Sequence, residues 1–502
     1  MSIKRNSIAN YIGQGYVIAT GIVITPLYLQ YLGAESYGLV GFFALLQSWM
    51  ALLDLGLSPT LGRQVAHARG GQNSFEVFKR LLKSLELIFL GLAILIAMGF
   101  FFSSQWISSN WVKFESIDID VIVYSISLMG MLIGLRWFSG FYRSGIIGLE
   151  DQVWLNAANI VLISLKFVGA LILLAFISQD IRHFFEYQLL IGFIEVLVFA
   201  GRFYCKLPAT QHSPGLVFFD WSAVKSVAPF ALGIAYTSGL WVLVTQTDKL
   251  ILSGVLNLAE FGYFSLVALV AGGVATLSGP ISQAIMPRMT MLLAQDNKEE
   301  MLRIYRMGSQ IVALISFSVA VMVGLYAEPL LYAWTGNREA ANWGAEVLLW
   351  FALGNGVLAI GAFQYYLQSA FGQLRLHVMG STISAVIQVP LIYFAAVNYG
   401  AVGAGIAWFS FRTLWFFWWT PIVHSRFVPG LHWSWLIKDI LPIVGLISAV
   451  ALLLSSQFVL KLDANRLWLF AQMLGLGLML LGLSSMSAPV IRMKIISKIK
   501  KV

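Results

Sequence analysis

Charge is scarce in this chain. Only 11% of its 502 residues are Asp, Glu, Lys or Arg, while 59% are apolar; an ordinary soluble domain carries about 25% charged residues. No soluble core needs so much apolar surface, so the shortage points to an integral membrane protein. Cysteine is rarer still. Cys205 stands alone, which excludes an intrachain disulfide and a multi-cysteine metal cluster. No Walker A loop is present, so ATP is not bound in that way. The six histidines (His67, His183, His212, His377, His424 and His432) fall in or near loops and form no i, i+4 metal pair. No cofactor is expected. A sizeable outer loop bearing acids or arginines is also missing, which argues against a membrane glycosyltransferase or polymerase. The net charge of +9 is scattered through short loops, so nucleic acid is not an expected partner.

What is there is a series of long apolar runs. A spanning helix needs roughly 20 such residues, and about fourteen stretches qualify: 8–32, 36–60, 85–103, 121–142, 154–177, 184–203, 228–250, 257–285, 308–331, 344–370, 378–397, 402–424, 440–460 and 466–487. Lys4 and Arg5 precede the first, which is too long for a signal-peptide core. With the N-terminus in the cytoplasm, the inner side receives most of the bases, among them Arg63, Lys79, Arg80, Arg143, Arg202, Arg288, Arg303 and Arg426. The outer side receives only Lys113, Arg182, Lys249, Arg338, Lys461 and Arg466. That asymmetry predicts cytoplasmic termini and an even number of helices. The tail "VIRMKIISKIKKV" alternates apolar and basic residues, as an anchor on anionic membrane lipid does.

An internal repeat is visible. Shifted by roughly 225 residues, "AESYG" at 34–38 meets "AEFGY" at 259–263, and Arg63 meets Arg288. Each half then holds six helices and inserts with the same polarity, which predicts a pseudo-two-fold axis along the membrane normal and a cleft between lobes. The expected organisation is a lobe at 1–203, a cytoplasmic linker at 204–227, a second lobe at 228–425, and a helix pair with basic tail at 426–502. Glu35 and Glu260 have a plainer reading too, as acids favoured at helix N-termini.

Intramembrane ionisable residues usually face one another or a wet cavity. Lys166 and Arg412 fall near mid-helix, and Arg136 about six residues, or roughly 9 Å, from the cytoplasmic end of its helix. Asp54, Glu195, Asp248 and Lys249 join them, with Gln14, Asn159, Gln246, Gln283, Asn355 and Gln364 among the uncharged polar residues. Plainer readings stand beside the functional one. Arg136 can snorkel, Lys166 can pair with Glu195, Asp54 can pair with Arg63 or Arg136, and glutamines glue helices together. Taken together, cations outnumber anions at mid-depth and both halves contribute, which fits an anionic cargo. Tyr28, Tyr365, Tyr366 and the run Trp415, Trp418, Trp419 offer stacking surface for sugars, or an interfacial belt. Prolines such as Pro26, Pro229, Pro280 and Pro390 fall within spans, where kinks let lobes bend.

"NYIGQGYVIATGIVITPLYLQYLGAESYGLVGFFALLQSWMALLDLGL", "GLEDQVWLN" (148–156), "TDKLILSGVLNLAEFGYFS" (247–265) and "PRM" (287–289) resemble oligosaccharide flippases of the Wzx type. These form the polysaccharide transporter branch of the multidrug/oligosaccharidyl-lipid/polysaccharide superfamily. The resemblance covers roughly 8–425 and rests on Asn10, Pro26, "YLGAESYG", Asp54 in "LDLGL" and Arg63. It implies two six-helix lobes in a V. It implies alternating-access movement of an undecaprenyl-pyrophosphate-linked oligosaccharide from the cytoplasmic to the periplasmic leaflet of the bacterial inner membrane. Polymerase and chain-length proteins of the same pathway are implied as partners. The extra helix pair resembles fourteen-span lipid II flippases, but those concentrate arginines in their first two helices. The first helix here has none, which favours an O-antigen or similar repeat unit.

The expectation is therefore an all-α polytopic flippase without enzymatic activity. Arg136, Lys166 and Arg412 would offset the diphosphate, and Arg63 and Arg288 would guide it at the inner mouth. Asp54 and Glu195 are the ion-coupling candidates. Three alternatives remain: a multidrug exporter of the same superfamily, whose cationic cargo calls for acids; a polysaccharide polymerase or transferase; and a non-transporting assembly partner.

Overall fold

In hydrocarbon a chain must satisfy its own backbone, so long apolar runs become helices. The computed structural model describes residues 3–71, 75–208, 219–462 and 465–488. The basic tail at 490–502 and the middle of the 204–227 stretch lie outside the described residues. Helices run in the order α1 (Ile3–Met50), α2 (Leu57–Arg69), α3 (Phe75–Asn110), α4 (Ile119–Gly148), α5 (Gln152–Ile163), α6 (Ala170–Phe176), α7 (Ile181–Lys206), α8 (Trp221–Val255), α9 (Leu258–Thr276) and α10 (Gly279–Ala294). There follow α11 (Lys298–Val312), α12 (Ser318–Leu325), α13 (Ala327–Thr335), α14 (Arg338–Gly361), α15 (Phe363–Ala370), α16 (Arg375–Phe427), α17 (Leu431–Trp435), α18 (Leu441–Gln457) and α19 (Arg466–Ser485). Wider π turns at Ser164–Gly169, Ala313–Phe317 and Leu436–Ile440 join α5 to α6, α11 to α12 and α17 to α18. The one isolated β-bridge among the described residues links Lys113 and Asn257.

Twelve stretches of the described residues are long and apolar enough to cross a membrane. Two of them are too long for one crossing. α1 and α16 hold 48 and 53 residues, or roughly 70–80 Å of helix, against about 30 Å of hydrocarbon. Each breaks at a glycine of positive φ, Gly33 (φ 78°) and Gly400 (φ 63°), a conformation that strains any L side chain. Beyond Gly400 the chain doubles back, so that Gly380 lies against the Trp419 indole. α1 reverses likewise. Asn10 bonds Gln152 at the start of α5; Glu35 bonds the backbone just ahead of α4; Gln47 then meets Arg136 halfway along α4. With each hairpin taken as two crossings, the protein is a multi-pass, all-α membrane protein of fourteen crossings, as the hydropathy predicts.

Boundaries differ where turn chemistry intervenes. The span expected at 36–60 stops at a 3-10 turn, Ala51–Asp54, because Leu55 and Gly56 are left-handed. The span expected at 257–285 divides between Thr276 and Gly279, and Pro280 falls in the first turn of α10, where its missing N–H costs no intrahelical bond.

The chain comprises two compact units, Met1–Gly262 and Tyr263–Val502. In the first, α4 is the centre, packed by α2, α3 and α7, and α8 adds to α1, α2 and α3. Phe89, Phe141, Phe185, Phe199 and Phe203 fill its core. In the second, α14 lies against α12, α13 and α16, and α18 and α19 pair with each other; Tyr305, Phe363 and Trp435 are fully buried. Glu35 and Glu260, matched by the repeat, do different jobs. The Glu35 carboxylate accepts from the backbone N–H groups of Glu115, Ser116 and Ile117 and from the Ser116 hydroxyl. Glu260 forms a capping box with Asn257, each side chain accepting the other's N–H at 3.1 and 2.8 Å.

Candidate functional site

The π turn at Ser164–Gly169 widens the helix and releases carbonyls from their usual partners. Three neighbours supply donors. The Tyr28 hydroxyl donates to Phe167 O at 2.8 Å, Tyr187 to Leu165 O at 2.8 Å, and the Gln188 amide to Lys166 O at 2.9 Å. Held in this way, Lys166 extends its ammonium to Glu195 Oε2 on α7, 2.6 Å away, with both side chains mostly buried. The other oxygen, Glu195 Oε1, accepts from Ser139 Oγ at 2.7 Å on α4. One turn earlier on α4, Arg136 lies within electrostatic range of both Lys166 and Glu195. Its Nη1 donates to Gln47 Oε1, and the guanidinium sits over the Phe43 ring at 4.7 Å. Its Nε is buried with no hydrogen-bond partner among the described residues. Arg136 thus turns into the bundle of the first unit, toward α1, and does not snorkel. Two cations share one carboxylate, and a buried donor is left over.

The remaining residues named from sequence fall into several settings. Asp54 lies in the 3-10 turn and accepts from the Ser58 hydroxyl at 2.5 Å and the Ser58 N–H at 3.3 Å. The described residues form no ion pair between Asp54 and Arg63 or Arg136, because Asp54 sits at the mouth of α2 and serves its first turn. Arg63 is exposed, with its guanidinium over Phe230 at 4.1 Å. Tyr28 is buried, edge-on to Phe184, and Asn159 is buried while Gln14 is exposed. Gln246 accepts from Lys249 at 2.8 Å.

In the second unit, Arg412 is buried on the returning limb of α16, its guanidinium 4.3 Å from the Trp408 ring. Arg288 and Gln283 are exposed on α10. Asn355 is buried and donates to Phe351 O in its own helix. Gln364 Oε1 is buried with no hydrogen-bond partner among the described residues, and the Tyr365 ring lies tilted against His377, 4.6 Å between centroids.

Sequence reading missed a second polar cluster. Asp439, nearly fully buried, accepts from Arg306 Nε at 2.5 Å, Arg306 Nη2 at 3.1 Å and Gln310 at 2.8 Å. Beside it Tyr305 meets His424 Nε2 at 2.8 Å, and His424 and His432 approach at 3.1 Å through their Nδ1 atoms. His424 lies in the last turn of α16 and His432 in α17, just past a tight corner, so proximity in sequence was the only signal available. No group of three or more His, Cys, Asp or Glu side chains suited to a metal occurs among the described residues.

Comparison with known proteins places this geometry. A curated protein of Shigella flexneri, described as a candidate O-antigen transporter, is 22% identical over 410 residues, 81% of this chain and 94% of that protein. Among solved structures, the lipid II flippase MurJ in an inward closed conformation superposes with a TM-score of 0.65, covering 97% of this chain and 98% of MurJ at 14% identity. An inward-facing multidrug resistance transporter of the MATE family, within the MOP superfamily, gives 0.66 over 84% of this chain and 98% of that one at 16% identity. At such low identities these superpositions establish the fold alone. The family profile described as polysaccharide biosynthesis protein matches residues 31–339, well over half of the sequence, and the chain belongs to that family of membrane proteins, whose relatives here bear the names of transporters and flippases rather than of catalysts.

Proposed function

We propose that this protein is a flippase that moves a polyprenyl-pyrophosphate-linked oligosaccharide from the cytoplasmic to the periplasmic leaflet of the bacterial inner membrane, with both termini cytoplasmic. One observation carries the reading: a buried arginine with a donor to spare stands beside a lysine–glutamate pair inside the spanning bundle of a polysaccharide-biosynthesis family member. Buried polar groups are normally satisfied, and an exception calls for a partner. A diphosphate is such a partner. It offers oxygens to the guanidinium fork of Arg136 and competes with Glu195 for the Lys166 ammonium. Glu195, once released, is the group that takes up a proton. Arg412 gives the second unit its own membrane-buried cation, and Arg63 and Arg288 attract the anion from the cytoplasm. Asp54 stays a weaker coupling candidate, being engaged by Ser58. An O-antigen or similar repeat unit is the favoured cargo, passed on to polymerase and chain-length proteins.

A strain lacking the protein is expected to accumulate lipid-linked repeat units on the cytoplasmic leaflet, and the wild-type gene to clear them. Repeat units that still reach the periplasmic face in that strain, with no second flippase present, would overturn the reading. An altered drug-accumulation profile with normal polymer display would point instead to a multidrug exporter.

A further inference from the structure

A groove of about 590 Å³ crosses α4 between α3 and α7 in the first unit. Gly134 and Leu135 form its floor, and Ala93, Ala97, Leu190 and Phe193 its walls. Small residues create it: a Cβ at Gly134 would come within 3.1 Å of Ala93 Cβ, so α3 and α4 approach closely while the face beside them stays hollow. Leu190 and Phe193 are each more than half exposed. These helices are membrane spans, and the medium that meets such a face is lipid hydrocarbon.

All but one of the lining residues are apolar. The exception is Glu186, at the end nearest the loops 111–118 and 177–180. Its Oε1 accepts from the Tyr124 hydroxyl at 2.8 Å, which aims the carboxylate. Arg182 lies four residues earlier, on the same face of α7, within electrostatic range of Glu186 and paired with Asp180 at 2.6 Å. The rim therefore presents the Glu186 carboxylate and, within its electrostatic range, the Asp180-paired Arg182 guanidinium near one end of an apolar trough.

That pattern is complementary to a zwitterionic lipid headgroup with a free amine. The ammonium donates to Glu186, the phosphate oxygens accept from Arg182, and an acyl chain fills the trough. A trimethylated amine has no N–H to donate, so the carboxylate discriminates against it. We infer that this groove binds one phosphatidylethanolamine from the leaflet facing the loops 111–118 and 177–180. The inference is independent of the transport reading.

Native mass spectrometry of the detergent-purified full chain, titrated with phosphatidylethanolamine or phosphatidylcholine of matched chains, tests it. Wild type is expected to retain one phosphatidylethanolamine with about tenfold preference, the scale of a charge-assisted hydrogen bond. Ala97→Phe fills the trough and should abolish that retention, while Leu474→Phe, on the exposed face of α19, should leave it unchanged. Glu186→Gln should keep a bound lipid but lose the preference, and it decides the matter alone where Ala97→Phe does not fold. Undiminished retention in Ala97→Phe, or undiminished preference in Glu186→Gln, would overturn the inference.

Discussion

Lys166 and Glu195 test at single-residue resolution whether the buried cluster is architecture or machinery. Removing one partner of a buried ion pair leaves an uncompensated charge, which costs about 3–5 kcal/mol. Glu195→Gln should therefore lower thermal stability in detergent, read as the loss of monodisperse protein after heating. The double change Lys166→Met with Glu195→Leu should recover part of that stability, because well-packed apolar pairs often replace buried ion pairs without loss, while Arg136 and Ser139 still lose the carboxylate beside them. If the cluster handles cargo, the double variant stays inactive in a complementation assay; a stable, active double variant would make the pair purely structural. Arg136→Ala should behave differently. Its Nε makes no hydrogen bond to lose, so about 1 kcal/mol of stability is at stake through Gln47, while repeat-unit export should fail. Arg136→Lys keeps the charge but not the planar fork, and should restore export only in part.

At the scale of elements, the two glycine-broken hairpins decide how many times the chain crosses the membrane. Gly33→Ala and Gly400→Ala each place a Cβ on extended backbone of positive φ, a nearly glycine-only region with a strain of about 1–3 kcal/mol. Both variants are expected to yield less folded protein at 37 °C than at lower temperature, measured by fluorescence-detected size exclusion of a fusion. The π turn makes a similar demand. Tyr28→Phe leaves the Phe167 carbonyl without its hydroxyl donor, for a loss of about 1 kcal/mol, with a larger effect on export than on stability if the turn positions Lys166. The clasp around Glu35 is an element of the same kind, in which one carboxylate gathers three consecutive backbone N–H groups.

For the whole molecule, the distribution of bases predicts topology. Alkaline phosphatase fused after Ser178 should be active, since that loop faces the periplasm when the N-terminus is cytoplasmic. The same enzyme fused after Leu207 should be inactive, because one more crossing returns the chain to the cytoplasm. Activity in the opposite pattern would invert the orientation and, with it, the proposed direction of flipping.

Hydropathy alone settled that this is a polytopic helical protein, and nearly where its crossings lie, because the lipid core demands runs of a definite length and leaves the backbone no other way to satisfy itself. The Lys166–Glu195 pair was legible for a related reason: a buried base requires an acid, and few were available. Tertiary structure alone decided which way Arg136 points, that Asp54 serves Ser58, that Tyr28 closes a π turn, and that Arg306, Asp439, His424 and His432 share one buried corner. Those outcomes depend on the rotation of each helix about its own axis. Packing between helices sets that rotation, and a uniformly apolar run, with no polar face to mark its inside, carries almost no record of it.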